Sequence, residues 1–155
     1  MDLYPYFEWL EGTPIAVAIK ESLWLFPAIE AVHLLALAVL GGTVLMVDLR
    51  LLGAGLKAQP VSAVERGARP WMVGAIATLV TTGVLIGLSE AVKLHDKPAF
   101  WVKMGTLATA LVFTFAIKLP LVRRDVSGVL GGVLAVVSLG LWLNVALAGR
   151  WIGFS

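Results

Sequence analysis

The hydrophobic residues of this chain come in four long runs, separated by short stretches that hold most of the charged residues. The runs cover about residues 27–52, 70–90, 100–119 and 126–147. Each has the roughly 20 residues that an α-helix needs to cross the apolar core of a bilayer. We therefore predict an all-α, polytopic membrane protein, a four-transmembrane-helix bundle that forms one domain over residues 1–155.

Residues 1–26 differ from the rest because they mix aromatic and acidic side chains. Such a mixture is typical of a segment that lies at a membrane surface. Thr13 and Pro14 form a helix start, with Thr13 as the N-cap and Pro14 at the first helical position. We expect an N-terminal interfacial helix, followed by a first span whose start is marked by Trp24 and Phe26.

The connection after the first span, residues 53–69, is polar and basic. Ser62 is followed three residues later by Glu65, which is the pattern of a capping box, so part of this connection is expected to be helical. We expect Asp48 to close the first span. We expect Lys118 to belong to a basic turn that follows the third span.

The composition supports a membrane protein and excludes several other classes. The chain is 59% hydrophobic and 14% charged, with a mean hydropathy of +0.93, whereas soluble domains are about 45–50% apolar and about 25% charged. It has no cysteine, which excludes disulfides, thiolate metal sites and Cys-attached haem. The basic residues flank the spans, so we expect no nucleic-acid partner. The sequence has neither a nucleophile–base pair nor a phosphate-binding loop, so nothing in it indicates an enzyme of the soluble type.

The distribution of basic residues predicts the orientation in the membrane. Seven of the 12 Lys and Arg residues lie in the connections after spans one and three. Cytoplasmic loops carry an excess of these residues, so we place both connections in the cytoplasm and both termini in the periplasm of a bacterial inner membrane. The expected partners are the lipid bilayer and either other membrane subunits or further copies of the chain.

Two ionisable residues, Glu30 and His33, lie near the start of the first span. Residues three apart share one face of a helix, and an ionisable residue in a membrane segment is by default a functional-site hypothesis. The predicted topology brings polar or sulfur-containing residues of the other helices to the same level, near the periplasmic face. These residues are Glu90, His95, Asp96, Lys103, Met104, Asn144 and Arg150.

Three kinds of chemistry are compatible with the polar residues near the periplasmic face. A copper site would use His33, His95 and Met104, because imidazole and thioether ligands suit copper. A single b-type haem would use His33 as an axial ligand, with His95 as the one other histidine of the sequence. A proton relay would use Glu30 and His33. The remaining polar residues would form the surrounding cluster.

Each candidate residue also has a purely structural interpretation. Glu30 would pair with Lys103 or Arg150 and hold helices together. His33 would bond to a neighbouring polar group, and His95 would be a solvated loop residue. Three threonines of the second span are expected to bond to their own helix backbone or to a neighbour, as is usual for threonine in membrane helices. They are Thr78, Thr81 and Thr82.

Four stretches carry a resemblance to known proteins: residues 30–42, which begin Glu-Ala-Val-His, and residues 47–53, 97–104 and 148–153. In these stretches the chain resembles an uncharacterised family of small bacterial four-helix membrane proteins. More distantly, a histidine early in the first span is similar to the copper-resistance D family and to four-helix membrane cytochromes b. The distant resemblance implies copper or haem, although two histidines are too few for a diheme cytochrome.

We therefore expect an integral membrane subunit with a His33-centred polar or metal site near the periplasmic face. The site would bind copper or one haem b, for electron transfer or metal handling. The alternative is a non-catalytic subunit that anchors or stabilises a larger membrane complex. A small transporter or channel is the least favoured function, because the cytoplasmic half has few polar residues besides Asp48, Lys118 and the basic turns.

Overall fold

The computed structural model describes residues 3–152, and all regular elements in that range are helices. Gly153, the last residue of the final resemblance stretch, lies outside the described residues, as do residues 1–2 and 154–155. The helices are α1 (Tyr4–Glu11), α2 (Pro14–Glu21), α3 (Leu25–Leu51), α4 (Val61–Ser89), α5 (Ala91–His95), α6 (Pro98–Val122) and α7 (Gly128–Ile152).

Four of these helices, α3, α4, α6 and α7, are long and apolar enough to cross a membrane. They have 27, 29, 25 and 25 residues, which at 1.5 Å per residue gives lengths of about 37–44 Å. The apolar core of a bilayer is about 30 Å thick. The predictions of an all-α chain and of four candidate spans are therefore confirmed.

Helix α3 packs against α4 on one side and α7 on another, and α6 packs against α7. Helix α4 also contacts Leu119–Val122 of α6, whereas it has little contact with Pro98–Val112. The four helices therefore meet most closely where the α3–α4 and α6–α7 connections lie, which we call the basic end. The opposite end, which we call the terminal end, carries α1, α2 and α5 packed beside α4.

The N-terminal helices are held at the terminal end by polar contacts. Thr13 is the N-cap of α2, as predicted, and its hydroxyl donates back to the carbonyl of Leu10 at 2.8 Å. Glu11 pairs with Lys20 and accepts the backbone N–H of Val92 at 2.9 Å. The bond from Lys20 lowers the pKa of Glu11. The carboxylate of Glu11 therefore joins α1 to both α2 and α5.

Helix α4 begins within the connection predicted after the first span, so part of that connection is helical, as expected. The predicted capping box does not form. The backbone N–H of Ser62 instead donates to Asp125 Oδ1 at 2.9 Å. Glu65 is fully buried and accepts two bonds from Arg69, at 2.8 and 2.7 Å. Both residues thus stabilise the basic end rather than a local helix start.

Helix α6 contains a π-helical segment, Phe113–Lys118. Each turn of a π-helix holds more residues than an α-helical turn, so the segment changes the direction in which the following side chains point. Lys118 is therefore a buried residue of a helix, with 0% of its side chain exposed, and not part of a basic turn. Asp48, expected to close the first span, is also 0% exposed. Both placements correct the prediction.

Candidate functional site

His33 is a half-buried residue of α3 that faces α4. Its Nδ1 lies 2.7 Å from Oγ1 of Thr82. The Thr82 hydroxyl donates its own hydrogen to the carbonyl of Thr78 at 2.7 Å. Thr82 must therefore accept from His33, and we infer that Nδ1 carries the hydrogen. In a neutral ring Nε2 then keeps its lone pair, and within residues 3–152 Nε2 has no hydrogen-bond partner.

The residue that follows Thr82 makes room for the imidazole. A Cβ added to Gly83 would lie 3.4 Å from Cε1 of His33, which is tighter than most such contacts. The Thr82 hydroxyl thus accepts a hydrogen bond from Nδ1 of the ring, and the absence of a side chain at Gly83 leaves space for its Cε1 edge. Thr82 and Gly83 position His33, and sequence reasoning assigned neither of them to the site.

Lys103 carries a positive charge that acts on this ring. Its side chain is half-buried on α6 and lies against α7, with Nζ 3.5 Å from the position of a Cβ at Gly149. The charges of Lys103 and Glu30 both act electrostatically on His33. Glu30 is exposed, and within the described part of the chain neither residue forms an ion pair or a hydrogen bond. The predicted pairing of Glu30 with Lys103 or Arg150 is therefore absent.

His95 lies in a different environment from His33. Its Nδ1 is 2.9 Å from Oδ1 of Asp96. Its ring packs among three aromatic rings of α1 and α6, with centroid distances of 6.0 Å to Tyr4, 5.0 Å to Phe7 and 6.4 Å to Trp101. The structure thus places His95 in an aromatic cluster at the terminal end, whereas His33 contacts α4.

The other predicted site residues make local contacts or face outward. Glu90 pairs with Lys93 at 2.8 Å, Oδ1 of Asn144 lies 3.3 Å from the Thr106 hydroxyl, and Met104 and Arg150 are exposed. Within residues 3–152 no group of three or more His, Asp or Glu side chains could hold a metal ion. A metal at His33 would therefore need ligands of another kind, such as the nitrogens of a porphyrin.

The threonines of α4 behave as predicted. Thr78 and Thr81 donate to the carbonyls of Gly74 and Ala77, at 3.0 and 2.9 Å. Thr82 does the same, and it is the one of the three that also meets a side chain of another helix. Sequence alone could not choose among the three, because that choice depends on how α4 is rotated against α3.

A second polar site, which sequence reasoning missed, lies toward the basic end. Lys118 Nζ is 2.5 Å from Oδ1 of Asp48 and 2.7 Å from Oγ of Ser138. All three residues are 0% exposed, and they come from α6, α3 and α7. Oδ2 of Asp48 has no hydrogen-bond partner among the described residues. We call these three residues the buried triad.

A line of polar side chains continues from the buried triad along the contact between α6 and α7. Trp142 donates from Nε1 to Oγ1 of Thr114 at 3.2 Å, and Thr114 is fully buried. Further toward the terminal end, the Thr106 hydroxyl donates to the carbonyl of Val102 at 2.9 Å and lies 3.3 Å from Oδ1 of Asn144. We call these two pairs the α6–α7 seam. Thr114 lies one helical turn before Lys118, and Thr106 lies about two turns before Thr114.

Comparison with known proteins gives a family and no activity. The chain belongs to a family of unknown function, DUF6644, whose family profile matches residues 6–155. The prediction of an uncharacterised family is thereby confirmed, and the distant similarities to copper-resistance D proteins and to cytochromes b stay predictions. No curated protein and no solved structure matches the chain.

Proposed function

We propose that this protein is an integral subunit of a bacterial inner membrane that holds one b-type haem at His33 and takes part in electron transfer. One observation carries the proposal. The half-buried imidazole commits Nδ1 to Thr82, which leaves Nε2 without a partner in the described residues. Histidines that bind metals almost always donate their other ring N–H to a fixed acceptor, which sets the tautomer and the ring orientation.

The surroundings of His33 favour haem over copper. A bare copper ion needs several protein ligands, and residues 3–152 offer no group of three His, Asp or Glu side chains. A porphyrin brings its own nitrogens and needs the protein for axial ligands only. Lys103 also favours haem, because its half-buried ammonium has no counter-ion among the described residues. Such a charge would repel a copper ion and would attract a haem propionate.

The roles of the residues follow from these contacts. His33 would be the axial ligand, Thr82 would hold its tautomer, and Gly83 would leave space for the ring. Lys103 would neutralise a propionate, which lowers the cost of burying both charges. When bound, the haem would supply one-electron chemistry, with a potential tuned by the axial ligand and the burial.

The proposed topology places the terminal end in the periplasm and the basic end in the cytoplasm. Exposed tryptophans support a membrane setting, since this residue concentrates at both interfaces. Trp9 and Trp24 are 65% and 82% exposed at the terminal end, and Trp71 of α4 is 66% exposed nearer the basic end. The short helices α1 and α2 would then lie at the periplasmic interface, as the sequence predicts.

A visible spectrum and a metal analysis of the protein, purified from membranes in mild detergent, test the proposal. We expect a Soret band and about one haem per chain, which follows from a single axial site. His33→Ala should lose the band while remaining inserted and monodisperse. His95→Ala is the matched control, because it removes the other histidine and should keep the band.

Three results would count against the proposal. Folded protein without haem or metal would overturn it. Stoichiometric copper in place of haem would show that the ligand was misidentified, although the site could remain. Haem that persists in His33→Ala would show that the site lies elsewhere.

A structural or anchoring role is the second candidate, and the buried triad favours it. Its contacts join α3, α6 and α7 without any ligand, as expected of a bundle that serves as a scaffold. Native electrophoresis of solubilised membranes separates the two functions. Cofactor-free protein that migrates in a larger complex, whose other subunits disappear when the chain is deleted, would support the scaffold.

A further inference from the structure

We propose that the buried triad is a proton-exchange site, in which Asp48 binds and releases protons that reach it along the α6–α7 seam. The site lies apart from His33, because fifteen residues of helix, or about 22 Å at 1.5 Å per residue, separate Asp48 from that histidine. Proton exchange at the buried triad therefore does not depend on a cofactor. The charged groups of the triad are separate from the proposed haem site.

Burial of this pair is difficult to explain by stability alone. Asp48 and Lys118 are both 0% exposed within helices long and apolar enough to span a membrane. Taking two charges out of water costs several kcal/mol per ion, and well-packed apolar residues are often as good or better at such positions. Ionisable residues inside membrane segments tend to mark proton or ion pathways. A chemical role accounts for the pair better than packing does.

The carboxylate has one oxygen in use and one available. Oδ1 of Asp48 contacts the Lys118 ammonium, and the hydroxyl of Ser138 also interacts with this carboxyl group. Among the described residues Oδ2 has no hydrogen-bond partner of normal geometry. A proton that bonds to Oδ2 converts the carboxylate to a neutral carboxyl group, and its release restores the carboxylate. Lys118 stays an ammonium throughout, so one O–H bond is all that forms and breaks.

The π-helical segment of α6 places the lysine in this position. Lys118 is the last residue of the segment, and Thr114, one turn earlier, belongs to it as well. Both are fully buried. Single π turns inside α-helices occur frequently at functional sites. The same local distortion thus aligns the ammonium and the nearest hydroxyl of the seam.

The α6–α7 seam gives the site a route toward the terminal end. The pair formed by Thr114 and Trp142 lies next to the triad, and the pair formed by Thr106 and Asn144 lies two turns further on, partly exposed. Eight residues, or about 12 Å at 1.5 Å per residue, separate the two threonines, and the residue midway between them is the small, buried Ala110. Several water molecules in a row would therefore have to connect the two pairs, and water-mediated hydrogen bonds are nearly as favourable as direct ones.

A cavity approaches the triad from the basic end. It has a volume of about 220 Å³, and Leu51, Val61 and Asp125 are among its lining residues. Leu51, which lies one helical turn after Asp48 on α3, forms part of the cavity wall. The triad is therefore placed between a polar seam on one side and a cavity on the other.

Three charged groups near the basic end, Glu65, Arg69 and Arg50, already have hydrogen-bond partners. Glu65 of α4 pairs with Arg69, and Arg123 of α6 lies 3.8 Å from it. Arg50 of α3 donates to the carbonyl of Gln59 at 2.6 Å, and α7 contributes Ser138. Among the described residues Asp48 alone combines full burial with unpartnered side-chain oxygen, which makes it the natural acceptor of a proton.

A flux assay on the full chain tests the proposal. The protein is reconstituted in phosphatidylethanolamine–phosphatidylglycerol vesicles that contain a pH-sensitive dye, and a potassium gradient with valinomycin supplies the driving potential. We expect wild-type vesicles to change internal pH faster than protein-free vesicles. Asp48→Asn should return the rate to the protein-free level, and Trp142→Phe should lower it. Thr109→Val is the control, because Thr109 is exposed and bonds to its own helix.

Infrared spectroscopy on the same samples gives an independent measurement. A carboxyl C=O band that grows on acidification, shifts in Asp48→Glu and disappears in Asp48→Asn is the expected result. Two outcomes overturn the proposal: a wild-type rate equal to that of protein-free vesicles, or an Asp48→Asn rate equal to wild type. If Asp48→Asn does not fold, two other variants test the proposal. A Trp142→Phe flux rate equal to wild type would contradict it, and so would an Asp48→Glu carboxyl band at the wild-type position.

Discussion

Two regions of the helix bundle differ in how their buried and half-buried polar residues are paired. Toward the basic end, Lys118 has both Asp48 and Ser138 within 2.7 Å, and Glu65 accepts two bonds from Arg69. Toward the terminal end, Lys103 has no hydrogen-bond or ion-pair partner among residues 3–152, and His33 has a partner on only one nitrogen. The buried charges of Lys118 and Glu65 thus contact other side chains, whereas the half-buried Lys103 and His33 each keep a nitrogen without a partner among residues 3–152.

This difference teaches which polar groups of the chain indicate a ligand. A buried charge that already has a partner does not need a ligand for its stabilisation. We therefore look for its function in a change of protonation. A half-buried charge without a partner costs free energy in the empty protein, and a bound anion recovers that cost. We therefore assign ligand binding to the His33 and Lys103 region and proton exchange to the buried triad. Four variants test this difference.

The largest effect is expected for Lys118→Met, which leaves Asp48 buried without its counter-charge. Removing one partner of a buried ion pair typically costs about 3–5 kcal/mol, so the free energy of unfolding should fall by about that amount. Titration of detergent-solubilised protein with sodium dodecyl sulfate measures it. The double variant Asp48→Leu with Lys118→Met is the control and should recover most of the loss, because neither charge then remains. A double variant as unstable as the single one would show that the pair is not an isolated unit.

The next effect concerns the hydroxyl that holds the His33 ring. Thr82→Val removes the acceptor of Nδ1 and keeps the shape of the side chain. Loss of such a support typically lowers metal affinity about 10–100-fold, so haem content should fall and the Soret band should become weaker under dilution. Thr81→Val is the matched control, because Thr81 bonds only to its own helix. Equal haem loss in both variants would contradict the role given to Thr82.

The hydrophobic pattern predicted the four long helices, because each run is long, apolar and bounded by charges. The assumption that charges bound each apolar run wrongly placed Asp48 and Lys118 at the ends of spans rather than in the interior of the bundle. Charges near the end of a run normally lie at the interface, and the pattern does not show that a π turn redirects Lys118 inward. One signal was present for Asp48. It follows Leu40 and Val44 at intervals of four, and both are buried on the inner face of α3.

For the candidate site, the sequence indicated His33 but not its partners. Glu30 was expected to matter because it shares a helix face with His33, yet it is exposed and, within the described residues, has no ion pair. Thr82 of α4 instead contacts the ring, and the charge of Lys103 on α6 acts on it electrostatically. Which residues meet across helices depends on helix rotation, and an amphipathic pattern fixes rotation poorly when nearly every face is apolar.

A smaller effect, of opposite sign, is expected for Lys103→Met. Removing an unpaired, half-buried ammonium should stabilise the cofactor-free bundle, by about 0.5–2 kcal/mol, the usual range for a stabilising change that sacrifices function. The same variant should bind less haem. Lys93→Met is the control, since Lys93 is exposed and pairs with Glu90, and its effect on unfolding should stay within about 0.5 kcal/mol. A Lys103→Met protein less stable than wild type would show that Lys103 has a structural partner.

The smallest effect lies outside the candidate spans, at the α6–α7 connection. The bond from the backbone N–H of Ser62 lowers the pKa of Asp125. Because the folded pKa is depressed, the stabilising contribution is present above the unfolded pKa of about 3.9 and is lost as pH falls through the folded value. Hydrogen exchange at the Ser62 amide should therefore accelerate in acid, after correction for intrinsic exchange. Asp125→Asn keeps an acceptor oxygen and tolerates the positive φ of 53° at this position, so its exchange should depend less on pH. Equal pH dependence in both proteins would show that another group controls the connection.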